Sequence, residues 1–214
     1  MRVQTLTVGA LQENCYLVID TSTRDAVLID PGAEGERLVQ AVRAARAKLR
    51  AIWLTHAHVD HVGGIAAVKR AIDVPIYAHP AGAPLYRSAV QHGLAFGLAI
   101  DPPPPVDLPL AGGQTLTLGT LAFHVMETPG HAPGHVVIHG HGVAFVGDCL
   151  FAGSVGRTDL PLADGAQLVR SLAAISALPG STVVYSGHGP ATTIARELES
   201  NPFLTGAVRI PGAI

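Results

Sequence analysis

Six consecutive positions constrain this chain more than any others. Between positions 56 and 61 lie three histidines and one aspartate, in the order His56-x-His58-x-Asp60-His61. They follow the apolar run Ala51-Ile52-Trp53-Leu54. Such a run, ending abruptly in polar residues, reads as a buried strand that hands over to a loop at its C-terminal end. In open α/β sheets that end is where ligands sit. His56 and His58 are two apart, so an extended backbone points them the same way. Asp60 and His61 come where the chain must turn, ahead of Gly63-Gly64 and a helical pattern. One short loop therefore offers four metal-capable side chains to one point or to two neighbouring points. Neutral imidazoles with a carboxylate suit zinc, iron or manganese. Packing these groups with no cation would cost desolvation for no gain.

Three later positions share the same grammar, each following an apolar strand pattern and bordered by glycine. His131 comes after Val125-Met126-Glu127 and a Pro129-Gly130 turn, Asp148 after Ala144-Phe145-Val146-Gly147, and His188 after Val183-Val184-Tyr185-Ser186-Gly187. The candidates then number seven, five histidines and two aspartates. Two zinc-like ions that share a solvent molecule need roughly seven protein groups, whereas one closed structural zinc needs only about four. A carboxylate such as Asp148 can serve both ions, one oxygen to each.

The rest of the chain supplies the frame. Strands are expected over 3–8, 15–19 and 26–29, with hairpin-length loops that make this opening antiparallel. Leu11 to Asn14 reads as a turn. A helix is expected over 34–49, with Leu38, Val42, Ala45 and Leu49 on one face. Helix 65–72 and strand 75–78 follow the histidine loop. The stretch 79–112, with a helix over 84–94 and the stiff Pro102-Pro103-Pro104-Pro105, reads as an insertion near the site mouth. Strands over 114–118, 121–127, 136–138 and 143–146 lead into helix 165–178, strand 183–185 and helix 192–200. The second half loosely repeats the first, so two sheets packed face to face with helices outside give an αββα sandwich of the α/β class. A single domain over 1–214 is expected.

Composition closes other routes. Net charge is −2, which leaves no electrostatic footprint for nucleic acid or an anionic membrane. The one basic cluster, Arg43, Arg46, Lys48 and Arg50, falls at the end of the expected helix, where it complements the helix dipole. No window approaches 18 uninterrupted apolar residues, and the N-terminus has no signal-peptide core. Two cysteines, Cys15 and Cys149, make no disulfide framework, so a reducing, cytoplasmic setting is expected.

His56-x-His58-x-Asp60-His61 followed by His131, Asp148 and His188 resembles the ligand set of the metallo-β-lactamase superfamily, over nearly the whole chain. Within it the chain resembles the short bacterial glyoxalase II-like hydrolases. The residues that carry this are Thr128-Pro129-Gly130-His131-Ala132-Pro133-Gly134-His135, Gly147-Asp148-Cys149-Leu150-Phe151, Gly153-Ser154-Val155-Gly156-Arg157-Thr158-Asp159 and Asn201-Pro202-Phe203-Leu204. The resemblance implies that one metal takes His56, His58 and His131, that the other takes Asp60, His61 and His188, and that Asp148 bridges them. It implies two divalent cations, zinc first, with iron and manganese also admissible. Full-length glyoxalase II enzymes carry a C-terminal helical domain that supplies much of the glutathione site. Here one helix and a tail follow His188, as in the short subgroup.

The expected chemistry is attack of a metal-activated hydroxide on a carbonyl. Asp60 takes the catalytic role of orienting that hydroxide as well as ligating. A thiolate leaves with little help, since thiol pKa values lie near about 8.5. An alkoxide or amine generally needs a proton donor, and none stands out beyond the ligand set. This favours a thioester, and the resemblance to glyoxalase II-like hydrolases implies a small-molecule thioester of the hydroxyacylglutathione type as the first reading. An iron-dependent persulfide dioxygenase with one metal, a lactone hydrolase and a metal-binding module with no catalytic role compete with it. Arg157, on a glycine-rich loop past Asp148, is the candidate for a substrate anion, with an internal pair to Asp159 as the alternative. Ser154 is a candidate hydrogen-bond partner. His135 reads as a supporting or core residue. His79, His92, His124, His139 and His141 have no supporting partners in the sequence.

Overall fold

The computed structural model describes residues 1–213. Its first sheet has the order β1-β2-β3-β4-β5-β6. These strands are β1 Arg2–Val8, β2 Glu13–Ile19, β3 Asp25–Ile29, β4 Lys48–Trp53, β5 Ile76–Ala78 and β6 Leu108–Pro109. The first three pair antiparallel, and β3 to β6 pair parallel. The helical crossovers that parallel pairing requires are α1 Gly35–Ala44, a single turn α2 Val59–Val62, α3 Ile65–Ala71, and the short helices α4 Ala83–Arg87 and α5 Ala89–Ala95.

The second sheet contains β7 Thr115–Leu118, β8 Leu121–Glu127, β9 Val136–Gly140 and β10 Val143–Gly147 as an antiparallel meander. A small separate hairpin, β11 Leu150–Phe151 and β12 Ser154–Val155, follows β10. Helix α6 Gly165–Ser176 then returns the chain to β13 Val183–Ser186, parallel to β10, before β14 Thr192–Thr193 and α7 Ile194–Ser200.

The alternation of side chains sorts the core into three layers. Tyr16, Val18, Val27, Ile29 and Trp53 from the first sheet meet Phe123, Val125, Val136, Ile138 and Phe145 from the second. The opposite face of the first sheet, with Leu17, Ile19, Leu28 and Ile52, packs on Leu38 and Val42 of α1 and Ile65 and Val68 of α3. The outer face of the second, with Val137, Ala144 and Val146, packs on Leu168, Leu172 and Ile175 of α6. β2 is buried at every position because it is covered on both faces. This is the αββα sandwich that the strand and helix pattern implies.

Several boundaries differ from expectation for local reasons. Helix α1 stops at Ala44, five residues before the expected Leu49. Arg46 takes a left-handed conformation, φ 51°, and Ala47 N–H donates back to the Val42 carbonyl, which closes the helix. A glycine at Arg46 would have signalled this stop. Lys48 and Arg50 consequently sit on β4, where Arg50 pairs with Asp25, so only Arg43 lies in the last helical turn. Glu13 and Asn14 belong to β2 and not to a turn, because Val8 and Thr7 pair with them. The single helix expected over 84–94 is two, broken at Ser88, whose hydroxyl donates to the Pro84 carbonyl four residues back. The stretch 79–112 also contributes β6, and Leu110 is fully buried between the sheets, so its last residues belong to the frame and not to an insertion.

Candidate metal centre

All seven sequence-selected ligand candidates reach one edge of the sandwich. β3, β4, β8, β10 and β13 end there, each followed within a few residues by Asp30, His56, His131, Asp148 and His188 respectively. The turn α2 places Asp60 and His61 beside them. Of three clusters of potential ligand atoms, Asp30 with His56 and His61 is wholly buried, and two reach the cleft, His56 with His58 and His131, and Asp60 with His61 and His188. Within each, the ligand atoms lie within 4.8 Å of one another. Asp148 stands between the two, with Oδ1 3.4 Å from His61 Nε2 and Oδ2 3.6 Å from His131 Nε2 and 3.5 Å from His188 Nε2.

Hydrogen bonds behind the rings fix which nitrogen faces the centre. The Arg157 carbonyl can only accept, so His131 Nδ1 donates to it at 2.8 Å and leaves Nε2 as a lone pair. The Asp30 carboxylate accepts from His61 Nδ1 at 3.0 Å. Thr55 Oγ1 donates to Asp30 at 2.5 Å and therefore accepts from His56 Nδ1 at 3.1 Å. Asp30 also accepts from Thr55 N–H at 2.7 Å. Partners of this kind orient metal-binding imidazoles and set their tautomer. His135 is buried and uncharged. Its Nε2 accepts from Asp148 N–H at 3.2 Å and its Nδ1 meets Thr128 Oγ1 at 2.9 Å, so it supports the backbone that carries Asp148.

Three features show that these residues fit bound cations. First, His61 Nε2 and Asp148 Oδ1 are buried with no hydrogen-bond partner among the described residues, a costly state unless another group engages them. Secondly, imidazole nitrogens crowd together, with His58 Nδ1 2.9 Å from His131 Nε2 and 3.1 Å from His56 Nε2. A single N–H on His58 Nδ1 could serve only one of these two contacts, so a shared positive partner suits the cluster better. Thirdly, Gly187 has no room for a side chain, since a Cβ there would overlap Asp148 Oδ1 and lie 2.7 Å from His61 Cε1.

The charge states divide the same way. Burial drives His56 well below the ordinary imidazole range, and the neighbouring His61 and His58 add to it. Burial, with His131 and His61, takes His58 down to about 3. Burial opposes charge on His61 and His188 as well, but the adjoining carboxylates outweigh it. Asp148 and Asp30 hold His61 up, and Asp148 and Asp60 raise His188 to about 9. Burial works against the ionised form of Asp148 too, yet His61 and His188 keep it ionised. One triad is thus a set of neutral lone-pair donors. At the other, Asp60 and Asp148 favour positive charge beside them.

The centre opens on one side. His56, His61, His131 and Asp148 are buried, while His58, Asp60 and His188 are half-buried and line a cleft of about 600 Å³. Arg157 and Ser154 line that cleft too. The Arg157 guanidinium is held by Asp159 through two hydrogen bonds of 2.6 and 2.7 Å, so the side chain given to a substrate anion is already engaged. It is the Arg157 carbonyl that reaches the centre. His92 joins the cleft wall from α5, a placement its lone position in the sequence did not signal.

Sequence reading also passed over Asp30 and Glu13. Asp30 sits in an Asp-Pro-Gly turn that looks like an ordinary strand end. Glu13 is fully buried with both oxygens unpaired among the described residues, 3.8 Å from His61 Nδ1, and burial pushes its carboxyl well above the usual range. Nothing in its surroundings along the chain marks it.

Comparison with known proteins identifies the family. Residues 8–188 match the model of the metallo-β-lactamase superfamily. The hydroxyacylglutathione hydrolase GloC of Haemophilus influenzae is 37% identical over 214 residues, covering 95% of this chain and 98% of that protein. The crystal structure of TTHA1623 in a di-iron-bound form superposes with a TM-score of 0.88 at 47% identity, over 94% of this chain and 100% of that one. ETHE1 from Myxococcus xanthus superposes at 0.82 with 29% identity, over 96% and 85%. The chain belongs to the metallo-β-lactamase superfamily, a class of metal-dependent hydrolases and related enzymes. Among the described residues no helix is long and apolar enough to cross a membrane.

Proposed function

We propose that this protein is a dinuclear metallohydrolase that cleaves thioesters, in the manner named for its relative GloC. The observation that carries this is the pair of ligand triads, His56–His58–His131 and Asp60–His61–His188, with Asp148 between them at the floor of an open cleft. A structural metal needs one closed set of about four ligands. Two adjoining sets that face a cleft suit catalysis instead.

When bound, two divalent cations supply an activated water at neutral pH and stabilise charge on the carbonyl oxygen. The chain does the positioning. Asp30 and Thr55 hold His61 and His56, and the Arg157 carbonyl holds His131. Asp60 lies 3.3 Å from His188 Nε2 on the open side, where it can accept a hydrogen bond from the attacking water and fix its direction. Apart from the ligand candidates, the cleft lining among the described residues holds one further imidazole, His92, and no carboxylic acid. A thiolate needs no proton to leave, which favours a thioester over an amide or an alkyl ester.

Similarity to ETHE1 keeps the persulfide dioxygenase reading as the competitor, because one triad would suffice for a single iron. Metal analysis of protein produced without supplementation separates the two when paired with assays on S-lactoylglutathione and glutathione persulfide. The proposal expects about two metals per chain and thiol release. One iron per chain with oxygen uptake on the persulfide would replace it.

A further inference from the structure

The walls of the cleft carry information that the metal chemistry does not use. Leu11, Leu85 and Phe96 come from the β1–β2 turn and the α4–α5 region. Phe151, Val155 and Leu160 come from the β11–β12 hairpin and the loop that follows it. Apart from the ligand candidates, Arg157 is the one residue with a permanent charge in the lining of the described residues, and Asp159 neutralises it at 2.6 and 2.7 Å. The apolar character also continues outward. Leu11 is 43% exposed and Phe96 55%, and Leu162, next in the chain to the lining residue Pro161, is 62% exposed. Large apolar side chains left in water around the mouth of a cleft mark a surface that an apolar ligand covers.

We propose that the cleft selects a thioester whose body is uncharged and apolar, an alkyl or aryl chain seated between Phe96 and Leu160, and that it discriminates against a polycarboxylate thiol such as glutathione. This inference rests on the thioesterase reading above. A carboxylate entering the cleft would have to give up water against hydrocarbon walls, which is costly, and would meet Arg157 already paired with Asp159. A hydrocarbon chain gains from every methylene it buries there. The step balances without a redox partner. Water's oxygen forms the new bond to the acyl carbon, the C–S bond breaks, and the products are a carboxylate, a thiol and one proton.

Two readouts test this separately. S-acetyl derivatives of straight-chain alkanethiols, matched ω-mercapto acids and glutathione are assayed for kcat/KM with the zinc-loaded protein. Ketone isosteres, in which a methylene replaces the sulfur, are titrated calorimetrically against the same protein. Each added methylene should raise both kcat/KM and ketone affinity about threefold. A terminal carboxylate should lower both about tenfold. Phe96→Ser and Leu160→Ser should flatten the dependence on chain length. Turnover that favours glutathione or the ω-acids over the neutral series overturns the inference and leaves the thioesterase reading intact. Equal ketone affinity at every chain length overturns it as well. Chain-length-dependent ketone binding with no thioester turnover supports the apolar cleft and removes the thioesterase reading.

Discussion

The carboxylate of Asp30 accepts from His61 Nδ1 at 3.0 Å, and the same oxygen, Oδ2, accepts from Thr55 Oγ1 at 2.5 Å. Thr55 in turn receives the His56 ring at 3.1 Å. One buried carboxylate therefore orients an imidazole in each triad. Asp30→Asn removes the charge and one acceptor and leaves the volume unchanged. It should weaken zinc affinity tenfold to about a hundredfold, the range for lost outer partners of metal ligands. Competition with a chromophoric chelator measures it. Because the effect passes through His56 as well as His61, both metals should weaken, and loss of only one would restrict the role of Asp30 to His61.

Gly187→Ala probes the floor from another direction. The added methyl group would overlap Asp148 Oδ1 and press on His61. The position is Gly by space, since its backbone φ is not positive. Secondary structure by circular dichroism should be retained, while metal content falls below one equivalent by elemental analysis. Retention of two metals would mean that the Asp148 loop yields freely.

Acid should destabilise the metal-free protein ahead of ordinary carboxylate titration. His58 has its folded pKa depressed to about 3, against about 6.5 when unfolded. Below the unfolded value the unfolded chain binds a proton that the folded one refuses, so stability falls as pH drops from about 6.5 towards 3. His56, His131 and His135 are depressed too and act with the same sign. His61 and His188 are raised and act oppositely, their contribution being lost as pH rises, for His188 towards about 9. Urea midpoints of chelator-treated protein should therefore decline between pH 7 and 5. His58→Gln should make that decline shallower. An unchanged slope would contradict the depressed value.

Neither thiol should react in the native state. Cys15 and Cys149 are fully buried, and burial pushes the Cys149 thiol up to about 12. Few thiolates form there at pH 8. Ellman's reagent should report no free thiol in the folded protein and both after unfolding in guanidinium. Rapid native labelling at Cys149 would show that the floor of the site opens.

What could be read from the chain alone was whatever sits densely along it. Four candidates within six residues, and three more each ending an apolar run beside glycine, announce a centre without any structure. Residues that act through distant partners do not. Asn14 looks like a turn residue, yet its side chain donates to the carbonyls of Ser186 and Gly189, more than 170 positions away. Asp30 hides within a common turn sequence, and its role appears only when His61 and Thr55 close around it. At Arg157 the informative atom is a backbone oxygen, about which the side chain says nothing. Periodicity located the helices well, but the end of α1 depends on a left-handed arginine that carries no compositional mark.

The centre is assembled across the join between the sheets. His56 and His61 follow strands of the first sheet, and His131, Asp148 and His188 follow strands of the second. Tyr16 on β2 also reaches over to the Ser186 carbonyl at 2.5 Å, and Asn14 N–H bonds to Gly187 at 2.7 Å. A cation held by either triad would therefore act as a rivet through the two halves of the sandwich. Prying the sheets apart and emptying the centre become one mechanical event, so the rate at which metal escapes would serve as a clock for how often the halves part.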